Sequence, residues 1–415
     1  MVLEFFITFL VGIIFSLIPS FHPSNIAPLF QYAHNKEFLI AILYSSNLIF
    51  SIVISSIFLI PDSSTNLIPL PAQRLVKRDK ANIAIMLIIS SIIIASILTI
   101  LLIPVLSNMY YFINKNVLSI SLFFIVLIFS SYSILAESNK LIAFFYFLIT
   151  GLFGILAINL LQNPFLTIFS SLYGVSSIIT SQEIVFKKIR KKFNFFSKIS
   201  KIMLTNFPIF FIAILLSFLA EFLPTISSDS QLAFLFFPFL KNDYQAIMLL
   251  AAISSSHLIT TLISNFSISL KRTAFSIQIG NIDSFLLLIS MSLTIFITFL
   301  ISSIIISFAL TKIKKLKISH NFKKFFLVVL ILLNFFYNSI TGLFFMLFFY
   351  ILGLIPYFFG IKRFIGMGSI TLNYLISSAQ KLFLYLKKVL INAKKTNNFV
   401  NWRRCKRAYY SREIK

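Results

Sequence analysis

The chain is a succession of apolar runs about 20 residues long, the length a helix needs to cross roughly 30 Å of hydrocarbon. The runs are continuous Ile, Leu and Phe with serine interspersed, not the short alternating segments of a membrane β-barrel. A helix satisfies its backbone polar groups within itself, so helical spans are the solution left. Hydrophobic residues make up 59% of the sequence and mean hydropathy is +0.97. The expected fold class is all-α: a polytopic integral membrane protein of about 10–12 transmembrane helices in two homologous halves, each with a broken helix or re-entrant segment. In order, the expected spans are Leu3 to Ile18, Phe38 to Ile60, Ile83 to Met109, Val117 to Leu135 and Leu141 to Leu160. A shorter segment from Asn163-Pro164 to Ser181 reads either as a span or as re-entrant. Met203 to Phe222, Tyr244 to Ser264, Asp283 to Leu310, Phe325 to Tyr337, Phe344 to Tyr357 and Gly366 to Leu386 follow.

Two stretches break the pattern at matching places. In Pro19-Ser20-Phe21-His22-Pro23-Ser24-Asn25, the prolines cannot donate to a helix ladder and obstruct the preceding turn, so they stop the first helix. Ser24 or Asn25 can cap a short second helix. Irregular backbone survives at membrane depth only where protein or a water-filled cavity satisfies it, and so it tends to line a substrate path. The second stretch, Pro224-Thr225-Ile226-Ser227-Ser228-Asp229-Ser230, also follows a span and precedes a half-helix-sized run, Phe234 to Leu240. This order occurs twice and reads as a duplicated unit. The expected division is 1–186 as a first membrane repeat, 187–202 as a basic connecting loop, 203–386 as a second repeat and 387–415 as a basic tail.

Lys and Arg number 36 against 11 Asp and Glu, a net charge of +25. The basic residues lie between spans and in the tail, which fits anchoring to the anionic cytoplasmic leaflet of a cell membrane. No recognisable nucleic-acid module accompanies them, so nucleic acid is not an expected partner. Charge bias alone leaves the topology open. With the loops after Ile60 and Ser181 inside, Lys314, Lys315, Lys317 and Lys323 fall outside, and making 164–181 re-entrant repairs that loop while breaking others. Whether the repeats run parallel or inverted stays unsettled at this level. The single cysteine, Cys405, and four scattered histidines at 22, 34, 257 and 320 offer neither a disulfide framework nor metal-ligand spacing. No nucleophile, base and orienter occur in a recognisable pattern, so no enzyme, metal or cofactor is expected.

Several ordered motifs carry a resemblance. Ser16-Leu17-Ile18-Pro19-Ser20-Phe21-His22-Pro23-Ser24-Asn25 is similar to a Gly-Leu-x-Pro-Gly-x-His-Pro-Asn-like turn, and Pro61, Asp62, Thr65, Leu67, Leu70, Pro71, Arg74 and Leu75 match a pattern following a second helix. Gly353-Leu354-Ile355-Pro356, Gly360-Ile361-Lys362-Arg363 and Met367-Gly368 look like closing elements of the same set. Over positions 12 to about 370 the chain resembles the TctA family, the large permease subunit of tripartite tricarboxylate transporters, and especially its short archaeal relatives. Ser20 and Ala72 stand where that family has glycines, and Gln73 where it has histidine. The resemblance implies a secondary permease working by symport in a lipid bilayer. Its substrate would be a small organic anion, a carboxylate, and its coupling ion a proton or sodium. A small membrane subunit or a solute-binding protein would be the protein partner. The alternative is a non-transporting membrane scaffold that keeps the fold.

His22, Pro23, Ser24 and Asn25 are candidate substrate ligands because free N–H groups and the helix dipole favour an anion at a half-helix N-terminus. Ser24 and Asn25 also read simply as caps. Asp62, Ser63, Ser64 and Thr65 form an acceptor-rich segment that serves as a substrate or proton site or as an interfacial turn. Asn163, Ser227, Ser228 and Ser230 complete the candidate substrate set. Glu221 and Asp229 are the acids nearest the second break. A fixed negative charge there repels an anion and suits a coupling proton or cation, so they are the candidate coupling residues. Arg74 and Arg363 can clamp a carboxylate bidentately, though among other basic residues at loop positions they read first as cytoplasmic anchors.

Overall fold

The computed structural model describes residues 2–16, 23, 26–30, 32–58, 71–72, 74–75, 78, 80–112, 115–180, 184–187, 194–222, 233, 236, 239–271, 273–312, 315–318, 320–380 and 382–383. Six helices are long and apolar enough to cross a bilayer, and a bent pair around Asn206 makes a seventh candidate span. The chain is therefore a multi-pass helical membrane protein. The helices are α1 (Val2–Ser16), α2 (Lys36–Phe58), α3 (Ala81–Leu101), α4 (Ile103–Phe112), α5 (Lys115–Leu135) and α6 (Lys140–Leu160). Next come α7 (Pro164–Phe169), a π-helical turn (Ser170–Val175), α8 (Ser176–Thr180), α9 (Asn194–Thr205) and α10 (Pro208–Ala220). The chain continues with α11 (Asp243–Ile268), α12 (Ala274–Ile279), α13 (Phe285–Lys312) and α14 (His320–Phe359), then a 3-10 turn (Arg363–Met367). Strands β1 (Ile184–Lys187) and β2 (Lys315–Ile318) form one antiparallel pair.

Helix α11 is the axis of the larger packing unit, with 94% of its most apolar window buried. The Asn242 side chain caps its start by accepting from the Gln245 N–H at 3.0 Å, and Ser269 closes its end in the left-handed region at φ 50°. A serine- and threonine-rich stripe, Ser254 to Ser256 with Thr260, Thr261 and Ser264, is buried, and each of these hydroxyls donates within the protein or accepts there. Small side chains of this kind let helix backbones approach where lipid offers no hydrophobic drive to associate.

Helix directions follow from where the hydrogen-bond partners fall. Asn206 meets Gln245, Ser217 meets Ile253, and Glu221 meets Thr261 and Ser264, at sequence separations of 39, 36, 40 and 43. A nearly constant separation means that α10 and α11 run in the same direction. The end of α10 and the start of α11 therefore lie at opposite ends of this helix pair. The half-helix expected at Phe234 to Leu240 lies largely outside the described residues. Helix α3 also runs with α11: Arg78, just before it, pairs with Asp243 at the start of α11, and Thr99 near its end bonds Ser256.

Helix α14 is two limbs, not one rod. Ser339 interrupts it at φ 55°, ψ −153°. Leu330 and Met346, on either side of Ser339, share one buried cluster with Val175 and Ile178, against which Leu327, Leu343 and Tyr350 pack. A Cβ on Gly342 would lie 3.0 Å from the Asn334 carbonyl, which in a continuous helix is more than two turns away. The chain thus reverses at Ser339 and the limbs run antiparallel. The sequence expectation of separate spans at 325–337 and 344–357 agrees with this reversal.

One face collects the basic loops. The antiparallel pairing of β1 with β2 brings the loop after α8 and the loop before α14 to the same side, and Lys362 reaches Glu137 beside the start of α6 on that side too. Arg74 and Arg78 meet Asp243 at the start of α11, and residues 187, 315 and 317 lie together in the β1–β2 pair.

Two packing units share the membrane. Helices α1 to α4 and α9 to α13 make the first. The second consists of α6, the 164–180 run, both limbs of α14 and the stretch from Arg363 onward, which pack chiefly on one another; buried apolar residues of both units belong to one continuous core. Backbones in the second unit touch where only glycine fits: a Cβ on Gly154 would strike the Ser369 carbonyl, and one on Gly353 the Leu172 carbonyl.

Candidate functional site

Glu221, the C-cap of α10, is buried with 2% of its surface exposed. A carboxylate at this depth is expensive unless paired and hydrogen-bonded. The Thr261 hydroxyl donates to Oε1 at 2.5 Å and the Ser264 hydroxyl to Oε2 at 3.1 Å. His257 places Nδ1 3.5 Å from Oε1. The parallel course of α10 and α11 produces this convergence, because residues 257, 261 and 264 recur at helical spacing on the side of α11 that faces α10. From the 1.5 Å rise per residue, Thr261 stands about 27 Å from Asp243 and about 10 Å from the other end of α11.

The surroundings keep water out. Tyr110 lies against Phe218 and Phe222, ring centroids 4.4 and 5.4 Å apart, and its hydroxyl donates to the Phe218 carbonyl at 3.4 Å. Thr99 donates to Ser256 at 3.0 Å one turn below, and Ser217 donates to the Ile253 carbonyl at 3.1 Å. Beyond the carboxylate, Asn265 donates to the Gly280 carbonyl at 2.7 Å while its Oδ1, buried, has no hydrogen-bond partner among the described residues. Chemically, one carboxylate, one imidazole and two hydroxyl donors can hold one proton in more than one place. Gaining or losing a proton changes the enclosed charge by one. In a low-dielectric interior that change is costly without a compensating ion or substrate charge.

Of the residues singled out by sequence, His22, Ser24, Asn25, Asp62, Ser63, Ser64, Thr65, Ser227, Ser228, Ser230 and Asp229 lie outside the described residues. Pro23 is buried and its carbonyl accepts from the Ile26 N–H at 3.0 Å. Asn163 sits at the turn between α6 and α7, in the other packing unit from Glu221. Its backbone N–H donates to Asn338 Oδ1 at 2.7 Å and its carbonyl accepts from Asn338 Nδ2 at 3.1 Å. Asn334 continues this ladder, accepting from Thr167 at 2.6 Å and donating to Ser170 at 3.0 Å. Asn163 therefore clasps two helical hairpins tip to tip. Arg74 pairs with Asp243 at 2.7 Å, so its carboxylate partner is a protein one.

His257, Thr261 and Ser264 escaped the sequence reading. Their signal was a histidine four and seven residues ahead of hydroxyls within an otherwise apolar run, which marks one helix face but names no partner for it. Comparison with protein-family models, curated proteins and solved structures finds no match.

Proposed function

We propose that this protein is a secondary permease that carries a small organic anion, a carboxylate, in symport with a proton held at Glu221. The observation that carries the proposal is the buried Glu221 carboxylate, enclosed at membrane depth with Thr261, Ser264 and His257. A scaffold gains no stability from such a group: replacing a buried polar cluster by apolar residues is often neutral or stabilising. A carrier uses it, because the cost of changing the enclosed charge ties proton uptake to the arrival of an anion. The ordered TctA-like motifs supply the substrate class. Glu221 is here the coupling residue, with Asp229 as its sequence companion and His257 as a second proton acceptor.

The charge bias supports a cytoplasmic basic face. The order of helix directions supports a duplicated unit. From 81 to 180 the chain goes away from the basic face, back, away to a hairpin tip at Asn163, and back. From 243 to 359 it does the same, with its tip at Ser339. Each repeat would then give its earlier helices to the first packing unit and its last hairpin to the second, in parallel rather than inverted orientation. Alternating access would then rest on movement of one repeat against the other.

The test is uptake of radiolabelled acetate, succinate and citrate into proteoliposomes of the full chain. The proposal expects accumulation of at least one that rises with an inward proton gradient. No uptake of any carboxylate under any gradient would return the protein to the scaffold reading.

A further inference from the structure

The start of α10 carries an elbow for which the permease reading has no use. Helix α9 meets α10 at 65° across Asn206 and Pro208, so when α10 crosses the bilayer α9 lies closer to the membrane plane than to its normal. The sequence of α9 suits that position. Its polar positions 194, 197, 198, 201 and 205 recur at helical spacing, and apolar ones fill most of the opposite side. Ile199 and Met203 are buried where α9 packs on α3, while Lys201 and Thr205 are exposed.

Hydrogen bonds fix the elbow against α11. Asn206 Nδ2 donates to the Ile202 carbonyl at 2.7 Å, and Asn206 Oδ1 accepts from Gln245 Nε2 at 2.8 Å. Gln245 Oε1 in turn accepts from the Lys241 N–H at 2.7 Å. One glutamine thus links the bend to Lys241 and brings a second exposed lysine to the side of the elbow. Neither Lys201 nor Lys241 has an ion-pair partner among the described residues. Asp243, the acid at this end of α11, is occupied by Arg74 at 2.7 Å and Arg78 at 3.8 Å. The charge that the elbow presents is therefore positive.

Beside the elbow the surface turns apolar. Leu204, in the last turn of α9, is 74% exposed, and Phe207, Phe211 and Leu215 continue as an exposed stripe at four-residue spacing along α10. The Phe207 N–H donates to the Leu204 carbonyl at 3.4 Å, and the Phe207 and Phe211 rings meet edge to face at 5.7 Å. On a spanning helix such a stripe faces acyl chains, not water. A cationic rim at the end of an acyl-facing stripe fits a molecule with an anionic head and apolar tails. A soluble phosphate would meet the lysines alone, and a zwitterionic lipid would bring a cation of its own. We infer that Lys201 and Lys241 at the α9–α10 elbow bind the headgroup of an anionic phospholipid whose acyl chain lies along Leu204, Phe207, Phe211 and Leu215. The site stands whether or not the chain carries an anion, because neither Glu221 nor any candidate substrate residue takes part in it.

The experiment uses the full chain in neutral-detergent micelles. Fluorescent phosphatidylglycerol is the binding probe, phosphatidylcholine and glycerol 3-phosphate are the competitors, and thermal unfolding is followed on the same samples. The wild type should bind phosphatidylglycerol, unfold at a higher temperature with it, and give it up to neither competitor. A lysine beside an anionic headgroup changes affinity about fivefold. Lys201→Gln and Lys241→Gln should therefore each weaken binding about fivefold, and the double variant about twenty-five-fold. Their lipid-free unfolding temperatures should stay at the wild-type value, since neither ammonium group has a partner to lose. Phe211→Ser keeps every charge and should weaken binding as well. Lys140→Gln, exposed at the start of α6, should bind as the wild type does. Equal losses in Lys140→Gln and Lys201→Gln would mean diffuse attraction by net charge and would overturn the site. Full displacement by glycerol 3-phosphate would overturn it in favour of a soluble anion, and displacement by phosphatidylcholine would remove the charge preference on which it rests. Wild-type binding in the double lysine variant, or in Phe211→Ser, would equally overturn it.

Discussion

Truncating Asn338 tests whether the two helical hairpins are held as one body. Asn338 exchanges two hydrogen bonds with the Asn163 backbone, at 2.7 and 3.1 Å, and donates to Thr167 at 2.9 Å. Hydrogen bonds between membrane helices average about 0.6 kcal/mol each, so Asn338→Ala should cost about 2 kcal/mol. Water can partly replace the bonds at this tip, where Asn163 is exposed. Asn334 is fully buried and its partners Thr167 and Ser170 are buried with it. Asn334→Ala should therefore cost more, about 2–3 kcal/mol, because it leaves polar groups unsatisfied away from water. Thr167 donates to Asn334 and accepts from Asn338, so the double variant should lose less than the sum of the single losses. Reversible unfolding in mixed micelles measures all three. A loss within about 0.5 kcal/mol of zero for Asn338→Ala, or strictly additive losses, would refute the clasp.

Topology can be checked by placing single cysteines in a Cys405→Ser background: positions 188 and 316 should react with an impermeant reagent from the same side, and position 341 from the other. Labelling of 188 and 316 from opposite sides would break the basic-face assignment. Ser339→Gly should stabilise the fold by about 1 kcal/mol, because φ 55° with ψ −153° is a region that only glycine occupies without strain; a lowered unfolding temperature would show that the Ser339 side chain matters more than its backbone. Gly154→Ala should destabilise through the Ser369 carbonyl it would strike, and Gly280→Ala should strain a φ of 91° in open space by only about 1–3 kcal/mol. Equal stability for Gly154→Ala and the wild type would contradict the close backbone packing of the second unit.

The sequence disclosed the spans well where one apolar run met one helix. Phe38 to Ile60 corresponds to Lys36–Phe58, Leu141 to Leu160 to Lys140–Leu160, and Asp283 to Leu310 to Phe285–Lys312. It failed where a run hides a bend: Met203 to Phe222 is two helices meeting at 65° around Asn206 and Pro208, and Ile83 to Met109 divides at Leu102. Apolar composition records burial in lipid or protein, not direction, so nothing in the run itself shows whether the chain crosses or turns back. That α10 and α11 run the same way became visible only through hydrogen bonds such as that from Ser217 to the Ile253 carbonyl. Glu221 was legible because an acid beside a proline break is conspicuous in an apolar chain. Its partners were not, since Thr261 and Ser264 resemble the many serines and threonines that only bond back to their own helix, as Ser45 and Ser292 do. The Asn334 and Asn338 ladder was hidden for the same reason: two asparagines four apart mark a face but not what it meets.

The most direct measurement of proton coupling at Glu221 is gradient-driven carboxylate accumulation in proteoliposomes, comparing wild type with Glu221→Gln. Glutamine keeps the size of the side chain and can still accept from Thr261 through its one carbonyl oxygen while its amide NH2 donates to the Ser264 hydroxyl, but it cannot take up and release a proton. Wild type should accumulate the carboxylate when the outside is acidic and stop when the gradient is collapsed. Glu221→Gln should fold, bind the carboxylate and equilibrate it at most, with uptake indifferent to pH. Full gradient-driven accumulation by Glu221→Gln would contradict the account.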